Sequence, residues 1–208
     1  AEHEAWAKEL AAKGLNPRAP WTRQTDLLDI HKNDVISDSG VEIWNVMEAE
    51  GIKNVILVGV HTNMCVLGRP FGLRRLASNG KNVVLCRDLT DTMYNPKMKP
   101  YVSHFTGTDL IIEHIEKWVC PTMTSNQLLG DEPFQFKNDT RPHVVMLVAE
   151  REYVTNETLP KFALEHLGKE YKVTILHCDE EGQGKRDDIP GTAQALKDAD
   201  VLLVSVRR

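Results

Sequence analysis

Hydrophobic residues along this chain fall into short runs of strand length, separated by stretches whose apolar residues recur at helical spacing. The runs at 54–60 (NVILVGV), 81–87 (KNVVLCR), 143–148, 171–177 and 201–206 are largely apolar, the pattern of strands covered on both faces of a parallel sheet. Helical spacing fits residues 1–13, 65–78, 108–119, 157–167 and 192–197. Strands alternating with helices predict an α/β protein with a doubly wound parallel sheet. The periodicity lapses over 121–142, PTMTSNQLLGDEPFQFKNDTRP, which holds three prolines and predicts a break between packed units. We therefore expect an α/β domain over 1–130, a linker over 131–142 and a partial Rossmann-like or flavodoxin-like α/β domain over 143–208.

Local signals mark the element ends. Ser39-Gly40-Val41-Glu42 fits a capping box, in which the serine hydroxyl and the glutamate carboxylate satisfy each other's free N–H groups. Val41, Trp44 and Met47 would then share the buried face of a helix that Gly51 ends. Residues 16–21, NPRAPW, are loop chemistry, and DLLDIH at 26–31 reads as a strand end. Pro70 and Gly72 fall inside the helix expected from Cys65. A proline there removes a helical hydrogen bond, so that helix should start late or kink.

Charge and composition narrow the function classes. A net charge of −5, with no basic stripe carrying interleaved aromatics, excludes a field that gathers nucleic acid. Every apolar run is far shorter than the roughly 20 residues of a membrane helix, so no membrane partner is expected. The four cysteines, Cys65, Cys86, Cys120 and Cys178, form no CxxC pair and read as free thiols in a reducing, cytoplasmic setting. Residues 1–13 read as helix without an initiator Met and 200–206 as a strand at the very end, so a piece of a longer protein is expected.

The stretch richest in chemistry is GVHTNMCV, residues 59–66, where a strand ends in a polar turn and a helix is expected at a cysteine. Ligands of open α/β sheets bind at the carboxyl ends of strands. A thiol at a helix N-terminus gains thiolate character from the macrodipole and free N–H groups. The plain alternative is that Cys65 is a small buried hydrophobe. Asp88, in LCRDLTDTMYNP, stands at the same edge with Thr92 and Tyr94, as pocket lining or as loop caps.

GVHTNMCV resembles the G-x-x-T-[ND]-x-C-V turn of the isochorismatase-like cysteine hydrolases, and the likeness extends over most of 25–120. The resemblance implies that Cys65 is the nucleophile and that Lys32, in DIHKNDVISDSG, supports the thiolate. It also implies a cis peptide at Val60–His61 and backbone oxyanion donors at His61 and Cys65. Asn63, His31 and Asp88 are the expected substrate-binding residues. The family's aspartate comes from a first strand that residues 1–24 do not supply, and Asp26 and Asp29 are not assigned to its place. No metal is expected within the chain, since His104 and His114 lack ligand spacing, and no cofactor.

Residues 143–208 resemble, more weakly, the start of a trehalose-utilisation-type domain related to class I glutamine amidotransferases, with Glu150 and Tyr153 either at a ligand-binding edge or in an exposed loop. Together the resemblances imply a hydrolase of C–N bonds in a small amide or ureido substrate, working through a cysteine thioester. A homo-oligomer is compatible, with Trp44 or Trp118 available for contacts. The rival reading is a catalytically silent scaffold coupled to a carbohydrate-related domain. Vinyl-ether hydrolysis is a weaker third, because it needs no thiol.

Overall fold

In a computed structural model the protein is mixed α/β, with two separate three-stranded parallel sheets. The structure describes residues 2–18, 23–130, 132–149, 153–178 and 189–206. Two compact units are distinguished, Ala1–Ser37 and Asp38–Arg208.

The first unit holds helix α1, Glu2–Ala12. Gly14, at φ +70°, stops it, with Leu15 N–H donating back to the Leu10 carbonyl. The strand end expected over 26–31 is not formed. Local bonds take its backbone instead: Leu28 N–H donates to Thr25 O, His31 N–H to the Asp34 carboxylate and Asp34 N–H to His31 O. Leu27 is 92% exposed, so this apolar stretch buries nothing there. Part of the connector, 19–22, lies outside the described residues.

In the second unit α2, Gly40–Ala49, opens as expected, with Ser39 Oγ accepting from Glu42 N–H. Its buried side is Met47 with Ile43 and Trp44 packed near it, while Val41 is exposed. Gly40 allows a close approach, since a Cβ there would lie 2.4 Å from Pro70 Cβ. Strands β1, Asn54–Val60, and β2, Asn82–Asp91, pair in parallel, and the short β3, Thr122–Met123, extends the sheet in the order β1-β2-β3. β3 and helix α5, Asn126–Leu129, fall in the stretch 121–142 that periodicity leaves blank.

β1 departs from the expected two-sided burial. Val55 and Leu57 pack against the core, but Ile56, Val58 and Val60 are exposed, because β1 is an edge strand covered on one face. β2, in the middle, runs four residues beyond its apolar run. Between the rungs Leu57↔Leu85 and Gly59↔Thr90, β1 advances two residues while β2 advances five. β2 therefore bulges over 86–89, and Gly59 takes φ +103° at the mismatch.

The helix expected from Cys65 is replaced by a single π-helical turn, Thr62–Val66, and helix α3 starts only at Leu73 and ends at Ser78. Pro70 and Gly72 are the cause: the chain folds back so closely that a Cβ on Gly72 would lie 2.7 Å from the Val66 carbonyl. Helix α4, His104–Trp118, begins four residues earlier than expected, capped by Ser103, whose Oγ accepts from Thr106 N–H. It buries Ile112 and Ile115 and leaves Trp118 exposed. Leu73, Leu76, Val83, Leu85, Ile112 and Ile115 form the core beneath this sheet, each large side chain contributing roughly 1.5–3 kcal/mol by burial.

The second sheet comprises β4, His143–Ala149, β5, Lys172–His177, and β6, Val201–Val206, in the order β5-β4-β6. Helix α6, Thr155–Phe162, continues as a π-turn, Ala163–Leu167, and helix α7, Thr192–Ala195, precedes β6. Central β4 is buried, whereas edge strand β6 exposes Val201, Leu202, Val204 and Val206. Arg141 fastens the segment before β4 to α4, donating to Asp139, Asp109 and Thr106. Glu150 and the polar stretch 179–188 lie outside the described residues. No helix among the described residues is long and apolar enough to cross a membrane.

Candidate functional site

Cys65 sits in the turn that leaves the carboxyl end of β1, half-buried, as a free thiol. The turn opens at a cis peptide, Val60–His61, the bond at which the resemblance puts one. The His61 carbonyl closes it by accepting from Met64 N–H (3.0 Å) and Val66 N–H (3.2 Å). With no long helix starting here, the macrodipole argument for Cys65 loses its helix.

Two side-chain bridges brace the turn against β2. Thr90 Oγ1 donates to the Gly59 carbonyl (2.8 Å), so its one proton is committed and Thr62 must donate to it across 2.6 Å. Both threonines are buried. Asn63 presents its amide edge to Met93, accepting from Met93 N–H (3.0 Å) and donating to Met93 O (3.2 Å). The expected substrate-binding role of Asn63 thus meets an amide already engaged with backbone.

Asp88 is engaged too. On the bulge of β2, its carboxylate accepts from Ser125 N–H (2.9 Å), Ser125 O–H, Phe134 N–H (3.0 Å) and the Cys86 thiol (3.3 Å). Burial works to raise its pKa, yet the bonds from Ser125, Cys86 and Phe134 outweigh it and hold the carboxyl below its usual range. The neighbouring Cys86 thiol is pushed up to about 11, by burial first and then by the bond and charge of Asp88. Burial also raises Cys120. These two thiols are poor nucleophiles, and Cys65 stands apart from them by exposure and by place.

His31 and Lys32 lie in the unit Ala1–Ser37, both exposed, in the turn that Asp34 closes on His31. His61, Asn63, Cys65 and Asp88 lie in Asp38–Arg208.

The residues to which sequence reasoning gave no role in this site are Asp91 and His104, the second weighed only as a metal ligand. Asp91 ends β2 opposite Val60. His104, the first residue of α4, sets Nε2 2.8 Å from Asp91 Oδ1 and Nδ1 3.0 Å from the Tyr94 carbonyl. Thr92 and Thr108 hydroxyls, 2.7 Å apart and buried, fill in behind. The Tyr94 ring lies against Gly107, where a Cβ would come within 2.3 Å of it. Ser103, a good N-cap residue ahead of His104, was the available signal.

A cavity of about 400 Å³ opens at the opposite, amino ends of β1 and β2, between Trp44, Met47, Lys53, Lys81 and Asn82. Lys81 is taken up there by Glu48 (2.8 Å), the Ile52 carbonyl (2.6 Å) and the Trp44 ring. Nothing of the Cys65 chemistry reaches it. Among the described residues no three His, Cys, Asp or Glu side chains converge as a metal ion requires.

Fold and site together define a mixed α/β protein with a free thiol at the carboxyl edge of a parallel sheet. No family model, curated protein or solved structure matches the chain.

Proposed function

We propose that the chain carries the nucleophile of a C–N hydrolase of the isochorismatase-like type, acting on a small amide or ureido substrate. The observation that carries this reading is the presentation of Cys65: half-buried, in a braced turn, where a parallel sheet offers its carboxyl edge. The Cys65 thiolate attacks the carbonyl carbon, forming a C–S bond and an oxyanion. Backbone N–H groups of His61 and Cys65 receive that oxyanion. Collapse breaks the C–N bond, the amine departs with a proton, and water then cleaves the thioester to acid and free thiol. The resemblance assigns the thiolate's cation to Lys32, in the unit Ala1–Ser37.

The rival scaffold reading draws on a specific observation as well. Asn63 and Asp88, both assigned to substrate, spend their polar atoms on backbone and loop.

A panel of small primary amides and ureido compounds, assayed for ammonia release, decides between them. Cys65→Ala should lower turnover by about 10³-fold or more, and mass spectrometry should find an acyl adduct on Cys65. Equal rates in both proteins would make the thiol a bystander and favour the scaffold.

A further inference from the structure

The hydrogen bonds around Asp91 and His104 lead toward Cys65. Asp91 Oδ1 accepts from His104 Nε2 (2.8 Å), Thr92 N–H (2.9 Å) and Thr108 O–H (3.1 Å). The second ring nitrogen, Nδ1, faces the Tyr94 carbonyl at 3.0 Å, an atom that only accepts. With a carboxylate on one side and a carbonyl on the other, both contacts are hydrogen bonds only when both nitrogens donate, that is, when the ring carries two protons and a positive charge. Between these two contacts Met93 is gripped from the other side through both its N–H and its C=O by Asn63, two residues before Cys65. Residues 91–94 therefore form a strap, tied to His104 at each end and to the Cys65 turn in the middle.

We propose that His104 is a positioning residue for Cys65, holding the strap 91–94 by two donated bonds so that Asn63 keeps the nucleophile turn in place. The proposal rests on Cys65 being the nucleophile, and His104 acts through Asn63. A ring that loses one proton has a single N–H for two acceptors, so one tie becomes a lone-pair repulsion and the strap slackens. The charged group that meets the ring is Asp91 on β2; the turn Thr62–Val66, which carries Cys65, packs against α4, and Asp109, further along α4, is held by Arg141 at 3.0 Å. Burial, the largest influence, favours the neutral ring, but the Tyr94 carbonyl and the Asp91 carboxylate prevail and raise the pKa of His104. The strap is then firm below that raised value and weakens as pH rises through it.

The test uses the full chain and no substrate. Alkylation of Cys65 by a limiting thiol reagent is followed against pH by peptide mass spectrometry in the wild type, in His104→Gln and in the control His114→Gln, whose ring meets only Arg74 in the described contacts. The wild-type and control profiles should show two inflections, the thiol's own and one at the titration of His104, across which the rate per thiolate changes by about threefold or more. His104→Gln should lose the second inflection and keep the first. A wild-type profile with the thiol inflection alone overturns the proposal, and so does a folded His104→Gln protein whose profile superimposes on wild type. Should His104→Gln fail to fold, NMR titration of the wild type decides: the Cys65 Cβ resonance either follows the His104 ring or ignores it. If Cys65 proves hydrolytically silent while His104→Gln still alters its alkylation, the hydrolase reading fails and the coupling stands.

Discussion

Two aspartates three residues apart on β2 end in different circumstances. Asp88 leaves the ladder at the bulge and is enclosed by neutral donors that keep their protons near neutral pH: Ser125, the Phe134 amide and the Cys86 thiol. Asp91 stays on the last rung and meets an imidazole on the first residue of α4. One carboxylate is a bracket for the 125–134 loop. The other is half of an ion pair whose partner titrates. The lesson is that position at a sheet edge makes a carboxylate available, and the segment that crosses over it decides whether it stays so.

The sharpest way to break this comparison is through the thiols on either side of it. Cys86, 1% exposed and with its pKa pushed up to about 11 by burial and then by Asp88, holds little thiolate near neutral pH. At pH 8 it should therefore react roughly 10²- to 10³-fold more slowly than an ordinary exposed thiol. Peptide mapping with limiting reagent should find Cys65 labelled first and Cys86 last. Replacing Asp88 by Asn should bring Cys86 part of the way back, since the charge goes and the burial remains. Comparable labelling of Cys65 and Cys86 at pH 8 would mean that the enclosed side of β2 is open to solvent.

This contrast also marks where sequence reasoning stops. The apolar run 54–60 coincides with β1, and those at 143–148 and 201–206 come within a residue of β4 and β6, because unbroken apolar runs bounded by turn formers leave a chain few other options. Cys65 was legible as the residue following a strand, and the Val60–His61 bond came from resemblance. β2 was cut short at residue 87, because the polar residues 88–91 carry no period-2 signal; their ladder to β1 is set by the bulge, a tertiary event. That error concealed Asp91, and placing the start of α4 at 108 concealed His104. For Asp88 the sequence left pocket lining and loop capping both open. The bonds from Ser125 and Phe134, and those between Asn63 and Met93, show the capping contacts, whose partners lie 30 or more residues away in sequence and so carry no local signal.

A smaller effect sharpens the Asp88 side. Its carboxylate serves three residues, so Asp88→Ala strands the Ser125 N–H, leaves the Phe134 N–H only its longer bond to Ser125 Oγ (3.2 Å), and should cost about 1–2 kcal/mol in urea denaturation. The sign of the pH dependence follows from the lowered pKa. The stabilisation is fully present above the unfolded aspartate value, about 3.9, and is lost as pH falls through the folded value. Wild type should therefore lose stability below about pH 4 more steeply than Asp88→Asn, which has no carboxylate to protonate. Parallel acid limbs in the two proteins would show that the bracket carries no charge-dependent energy.

The smallest effect concerns the ties that hold the open side in register. Thr62 donates to Thr90, and Thr90 donates to the Gly59 carbonyl, all within a region where both side chains are at most 2% exposed. Thr90→Val keeps the shape and removes the hydroxyl, leaving the Thr62 O–H and the Gly59 carbonyl short of a partner, for a loss of about 1–2 kcal/mol. Thr62→Val should cost less, because the Thr90 proton still reaches Gly59. The double substitution should lose less than the sum, with a coupling of about 0.5–1.5 kcal/mol in a double-mutant cycle. Strict additivity would mean that the 2.6 Å contact contributes nothing to stability, and the turn would then owe its place to the Asn63 clamp on Met93 alone.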